Sequence, residues 1–392
     1  MAAGKRIAGY HGCLFRPGLP LVYAAVTRND IPRDNSLLSE DRDDLHNKVK
    51  LNATTKPAVG LLLNFAAVIT NTIMSKQTVL VTGGTGFVGI HTILQLLQQN
   101  YIVRTTLRSL HRKTEIIEAL QAGGLTDLNQ LSFYEADLTS NSGWDTAVAG
   151  CDYVLHVASP FPMTQPDDEN ELIIPARDGS LRVLKAAKAA GVKRVVLTSS
   201  FAAIGYGPRI PGHVFTETDW TDEQAPIMAY IKSKTVAEKA AWAYIRTEGG
   251  MMELTVINPV AIFGPMLGGI ASASIDGVIR PILAGQVTES PAFTFGVVDV
   301  RDVADIHIKA MLHPAARGER FLATSAGVMS FYDVAQLIRQ ERPEQATGIG
   351  AMQPTGDTFY IELSNQKAQE LLDWHPRAKE AAVLASLDSI AR

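Results

Sequence analysis

A short apolar run that breaks into glycines and then resumes at helical spacing constrains this chain more than any other feature. Thr78-Val79-Leu80-Val81 has the length and β-branched character of a strand buried on both faces. The turn Thr82-Gly83-Gly84-Thr85-Gly86-Phe87-Val88-Gly89 follows, and Ile90–Gln99 then sets Ile93, Leu94, Leu96 and Leu97 at helical spacing. More strands are expected over Ile102–Leu107, Leu131–Glu135, Tyr153–Ala158, Arg194–Ser199 and Leu254–Asn258. Long helices are expected over Leu172–Ala190, stopped by Gly191, and over Tyr230–Glu248. Strands alternating with helices in this way make a doubly wound parallel α/β sheet, whose ligands gather at the carboxyl ends of the strands.

Glycines at 83, 86 and 89 allow a tight turn, the close approach of a pyrophosphate, and close packing of the helix on the strand. The helix N-terminus behind them offers free N–H groups and the positive end of a dipole. The expectation is a Rossmann-type dinucleotide site, with Thr82, Gly83, Thr85, Gly86, Phe87, Val88 and Gly89 at the cofactor. The second strand ends Thr106-Leu107-Arg108-Ser109, followed by Arg112 and Lys113, and no acid stands between Arg104 and Glu115. A carboxylate there would suit the ribose hydroxyls of NAD, whereas a guanidinium suits a 2′-phosphate. NADP(H) is therefore expected, with Arg108 as its principal contact and Lys113 beside it. Asp137-Leu138 follows the third strand; Asp137 either receives the adenine amino group or caps a turn.

Outside this series the chain is less regular. Residues 263–296 are rich in Gly, Ala and Pro, and short helices such as Phe331–Glu341 and Asn365–Leu372 follow. The expected division is a nucleotide-binding domain over 75–258, to which 296–312 returns, and a smaller C-terminal substrate-binding region built from 259–295 and 313–392. Residues 1–74 read as a leader without a clear fold. Its apolar stretch Ala58–Ile73 is interrupted by Asn64 and Asn71 and falls short of the roughly 20 residues a spanning helix needs. It also lies too far in for a signal peptide. Of a weak membrane or targeting segment and an extension outside the fold, the second is favoured, with Met74 reading as a start site. A net charge of −4 without a dense basic face gives no reason to expect nucleic acid. Cys13 and Cys151 make no disulfide framework and no metal spacing, so a reducing cytoplasm and no metal are expected.

The reacting chemistry is concentrated in Tyr230-Ile231-Lys232-Ser233-Lys234. Tyr230 and Lys234 share one helical face, where an ammonium would draw a phenol's pKa down from its usual value near ~10. That pairing suits acid–base catalysis. Ser199 and Ser200 end the fifth strand, where one hydroxyl can hold a substrate oxygen.

Taken together, these segments resemble the extended short-chain dehydrogenase/reductases. The similarity is greatest to the branch holding dihydroflavonol reductases, cinnamoyl-CoA reductases and aldehyde/ketone reductases. His156-Val157-Ala158-Ser159-Pro160, Leu197-Thr198-Ser199-Ser200, Ile257-Asn258-Pro259-Val260 and the ending Ser364–Pro376 carry the resemblance beyond the motifs above. It implies that Tyr230 donates a proton, and that Lys234 binds the nicotinamide ribose and lowers the tyrosine pKa. Ser200, before Phe201, would hold the substrate oxygen, with Ser199 as runner-up. Val157, Ala158 and Ser159 would border the cofactor, and Pro259 its nicotinamide end. The leader has no counterpart in that family.

The implied activity is reduction of an aldehyde or ketone to an alcohol, or the reverse, on a small-molecule substrate by a monomer or homodimer. Two alternatives stand beside it: NAD-dependent epimerisation or dehydration of a nucleotide sugar, which Arg108 disfavours, and a non-catalytic NADP(H) sensor. His156 reads as a core histidine, and Asp167, Asp168, Glu169 and Glu171 as a solvated acidic loop near a helix start. Of Asp299, Arg301 and Asp302, Asp302 is expected to cap a helix. Phe161, Met163, Phe201, Ile204, Tyr206 and Met228 are candidates for the substrate pocket.

Overall fold

The computed structural model describes residues 76–160, 166–207, 211–270 and 272–390. The leader, Phe161 and Met163 lie outside the described residues. The chain runs β1 (Thr78–Thr82), α1 (Phe87–Gln98), β2 (Ile102–Leu107), α2 (Lys113–Ala122), β3 (Leu131–Glu135), α3 (Trp144–Val148), β4 (Tyr153–His156), α4 (Asn170–Ala189) and β5 (Arg194–Thr198). It continues through β6 (Val214–Phe215), α5 (Ala229–Glu248), β7 (Glu253–Pro259), β8 (Ala261–Phe263), α6 (Arg280–Leu283), β9 (Phe295–Asp299) and α7 (Val300–Leu312). The last elements are β10 (Arg320–Ala323), β11 (Val328–Met329), α8 (Phe331–Glu341), β12 (Glu362–Leu363), α9 (Gln366–Leu372) and α10 (Lys379–Ile390).

Seven strands form one sheet in the order β10-β7-β5-β4-β1-β2-β3, and every neighbouring pair is parallel. Strand β1 shows why the sheet is doubly wound. Val79, Leu80 and Val81 are all 0% exposed, but Val79 and Val81 pack with Ile90 and Ile93 of α1, whereas Leu80 packs with Leu184 of α4. Alternate residues face opposite sides of a strand, so an unbroken apolar run needs helices on both. Each such side chain contributes about 1.5–3 kcal/mol by leaving water. Leu80→Ala would cost roughly 2–5 kcal/mol, because a close-packed interior collapses only in part around a lost side chain.

Two strands correct the expected division of the chain. Arg320–Ala323 pairs with β7 and forms the seventh strand of the large sheet, although it falls within the segment assigned to the smaller region. Conversely, β9 joins β8 and β11 in a separate three-stranded sheet. Only α7 rejoins the large layer, with Val303 and Ile306 buried beside Val79 and Val81. The cap of α7 is also corrected. Asp299 is its N-cap, accepting from the Arg301 amide, while Asp302 lies in the first turn and accepts from the Arg377 amide. Among the described residues, no helix is long and apolar enough to cross a membrane.

Candidate active site

The strand order reverses between β1 and β4, and a cavity of about 930 Å³ opens at the carboxyl ends there. Its floor is the glycine turn, with Gly83, Thr85, Gly86, Phe87 and Val88 on the wall. Gly83 has φ +75°, a left-handed conformation that costs a side-chain-bearing residue strain. Gly89 lies behind the wall, where an added Cβ would stand 2.3 Å from the Gly83 carbonyl oxygen. Thr82 is buried behind the turn as well, and its hydroxyl accepts from the Ala158 amide at 3.0 Å and pairs with His156 Nδ1 at 2.8 Å. The glycines thus bring α1 onto the strand end, and Thr82 ties that end to β4. Gly86 caps α1 without a side-chain bond, leaving the first-turn amides for an anionic group.

Arg108 is exposed on the cavity wall at the end of β2. Lys113, the first residue of α2, is exposed and off the wall, so the structure does not bring it to the site. Asp137 and Leu138 line the cavity. The Asp137 carboxylate closes its own turn, accepting from the Thr139 amide at 2.7 Å and the Thr139 hydroxyl at 2.6 Å. These bonds hold it below the usual carboxylate range. The turn cap is thus present while Asp137 also faces the cavity.

At the other end lie Val157, Ala158, Ser159, Ser200, Tyr230 and Pro259. Ser200 caps a short turn over Phe201–Ala203 and accepts from the Ala202 amide at 3.1 Å. Its hydroxyl acts on the Tyr230 phenol in the direction that lowers its pKa. Burial outweighs that effect and pushes Tyr230 up to about 12. The expected lowering by Lys234 is absent, for a geometric reason. The Lys234 ammonium donates to the Ser159 hydroxyl at 2.9 Å and stands 5.9 Å from the tyrosine ring centre. Lys234 itself is brought down to about 8 by burial, which the charge of Glu238 opposes. Ser199, the runner-up, donates to Glu238 at 2.5 Å and is not on the cavity wall.

Of the pocket candidates, Phe201 and Tyr206 line the cavity and meet edge to face at 5.6 Å. Ile204 is core, and Met228 is exposed and off the wall. Ile262, Ser272, Ser274 and Phe295 complete that end. His156 is a buried histidine held neutral at about 3, bonded through Nδ1, with Nε2 lacking a partner among the described residues. In the acidic loop Glu169 pairs with Lys232, and Glu171 is exposed in the first turn of α4 at the cavity edge, as its solvated reading expects. The cluster of Glu238, Asn258 and Arg320 behind Ser199 escaped the sequence reading. The one available signal was that Glu238 continues the four-residue spacing of Tyr230 and Lys234.

A doubly wound sheet with a glycine cradle at one end of the cleft, a serine and a tyrosine at the other, and a buried lysine bonded to Ser159 behind them defines a nucleotide-dependent α/β protein. The model of the NAD dependent epimerase/dehydratase family matches residues 79–323. The chain is 34% identical over 321 residues to cinnamoyl-CoA reductase CAD2 of Medicago truncatula, covering 80% of this chain and 95% of that protein. It is 33% identical to the putative NADPH-dependent methylglyoxal reductase GRP2 of Candida albicans, covering 76% and 94%. The structure is similar to yeast methylglyoxal/isovaleraldehyde reductase Gre2 complexed with NADPH, with a TM-score of 0.70 at 27% identity over 80% of this chain and 98% of that one. The chain belongs to the NAD dependent epimerase/dehydratase family, the extended short-chain dehydrogenase/reductases.

Proposed function

We propose that this chain is an NADPH-dependent oxidoreductase that reduces the carbonyl of an aldehyde or ketone to an alcohol, or runs the reverse. The observation that carries the reading is that Ser200 and Tyr230 share the wall of one cleft with the glycine cradle and Arg108. The residues fit the cofactor. Gly83 and Gly89 let the turn pack closely on Ala158 and on α1 at the cleft, the α1 amides suit a pyrophosphate, and Arg108 suits a 2′-phosphate. When bound, NADPH supplies the hydride that the protein's own side chains cannot.

The side chains supply orientation and the proton. Ser200 and Tyr230 donate to the substrate oxygen as charge develops on it, and Tyr230 passes its proton to that oxygen. A phenol held at about 12 is protonated at neutral pH, the state a donor requires. Lys234 and Ser159, joined by their own hydrogen bond, would hold the nicotinamide ribose. Phe201, Tyr206 and Phe295 receive the organic part of the substrate. The region around 259–295 thus serves substrate binding, and the compartment is the reducing cytoplasm, where buried Cys151 stays a thiol.

The test is NADPH absorbance against a panel of aldehydes, α-dicarbonyls, aryl ketones and UDP-sugars. Carbonyl-dependent loss of absorbance is expected. Turnover of UDP-sugars alone would favour epimerisation or dehydration instead.

A further inference from the structure

Helix α5 carries Tyr230, Lys234 and Glu238 on one stripe. The first two serve the cleft, whereas Glu238 lies one turn deeper with a side chain 0% exposed. A buried carboxylate must satisfy its lone pairs or be driven neutral, and this one has four donors. Oε2 accepts from the Ser199 hydroxyl at 2.5 Å and from Asn258 Nδ2 at 2.8 Å. Oε1 accepts from Arg320 Nε at 2.6 Å and from Trp242 Nε1 at 3.2 Å.

Each partner leads back to the reacting groups. The same Asn258 amide donates to the Ser200 carbonyl at 3.1 Å, so the Ser199-Ser200 segment is held from both sides. Arg320 donates onward to the carbonyls of Glu217 at 2.7 Å and Asp219 at 2.8 Å, and lies 3.7 Å over the Trp220 ring. It therefore anchors the segment between Tyr206 and α5. Only a guanidinium has enough donors, in a fixed fork, to do this.

We infer that the Glu238–Arg320 pair is a positioning device that fixes Ser200 relative to Tyr230 by tying α5 to β5, β7 and β10. Stability alone is a poor reason for such a pair. Desolvation cancels much of its attraction, and apolar residues of similar volume often replace a buried ion pair without loss. Geometry is a better reason, because a misplacement of about 1 Å at reacting groups can cost on the order of a hundredfold in rate. Neither residue lines the cleft, so their effect passes through Ser199, Asn258 and the helix, and through the charge of Glu238 on Lys234.

The inference rests on the proton-donor reading of Tyr230, and the experiment separates the two. Full-length wild type, Glu238→Gln and Glu238→Met/Arg320→Met are compared for kcat and KM with an aldehyde or aryl ketone, for NADPH Kd by fluorescence, and for Tm. The double variant removes both charges and leaves none stranded. At about pH 6, where Lys234 keeps its ammonium, it is expected to fold and to keep NADPH Kd and KM within about threefold, while kcat falls by at least about tenfold. A folded double variant with kcat within about twofold of wild type would overturn the inference. So would a loss of kcat matched by an equal loss of NADPH affinity, or failure of both variants to fold, since each makes the pair merely structural. An inactive wild type would instead count against the reading of Tyr230.

Discussion

Lys234 and Ser159 are joined beside the cleft by a 2.9 Å hydrogen bond from ammonium to hydroxyl, one from the helix that bears Tyr230 and one from the loop after β4. The bond holds a buried cation beside the place where the cofactor ribose is proposed to lie.

A pH dependence follows. Burial has brought Lys234 down to about 8, so its ammonium is present below that pH and lost above it. NADPH Kd, which reports the free protein, should rise as pH passes through about 8, by about tenfold for a contact worth about 1.4 kcal/mol. Fluorescence titrations from about pH 6 to about pH 10 check this. Lys234→Met should bind weakly with a flat profile over the same range. A flat profile in the wild type would deny the lysine its role.

Arg108 should separate the two nicotinamide cofactors. A charge-assisted bond to phosphate is worth about 1.5–3 kcal/mol, so Arg108→Ala should weaken NADPH roughly 10- to 100-fold. NADH affinity should stay where it was, because NADH lacks the 2′-phosphate. Paired Kd measurements decide it, and equal losses for both would place Arg108 elsewhere.

The cradle is tested by one methyl group. In Gly89→Ala the new Cβ would meet the Gly83 carbonyl oxygen at 2.3 Å, an approach no flexible side chain can relieve. The turn must move, at a cost of about 1–3 kcal/mol seen as a lower Tm, with NADPH binding lost alongside. Gly277→Ala, which meets nothing within 4 Å, is the control and should change neither.

The sheet's first six strands were legible because each is an apolar run set off by turns, and the cofactor turn because glycine spacing has a direct geometric cause. Arg320–Ala323 was not legible. It is four residues long, shows no alternation, opens on an arginine and sits among short helices. Its place is fixed by pairing with β7, a contact with no local signature. Asp299 and Asp302 illustrate a different limit: two acids near one helix start compete to cap it, and the choice depends on where the helix begins. The tyrosine pKa had the opposite sign from expectation because burial of the phenol, which residue spacing does not report, raises it. The Glu238 cluster draws on α5, β5, β7 and β10, and only the fold assembles it.

Tyr230 carries the central claim, and Tyr230→Phe tests it most directly, since it removes one hydroxyl and keeps the ring. With saturating NADPH and a carbonyl substrate, kcat should drop by roughly 10² to 10⁴, the usual worth of a positioned proton donor, while NADPH Kd and Tm stay close to wild type. Turnover within about twofold of wild type would contradict the account, because the proton would then come from another group.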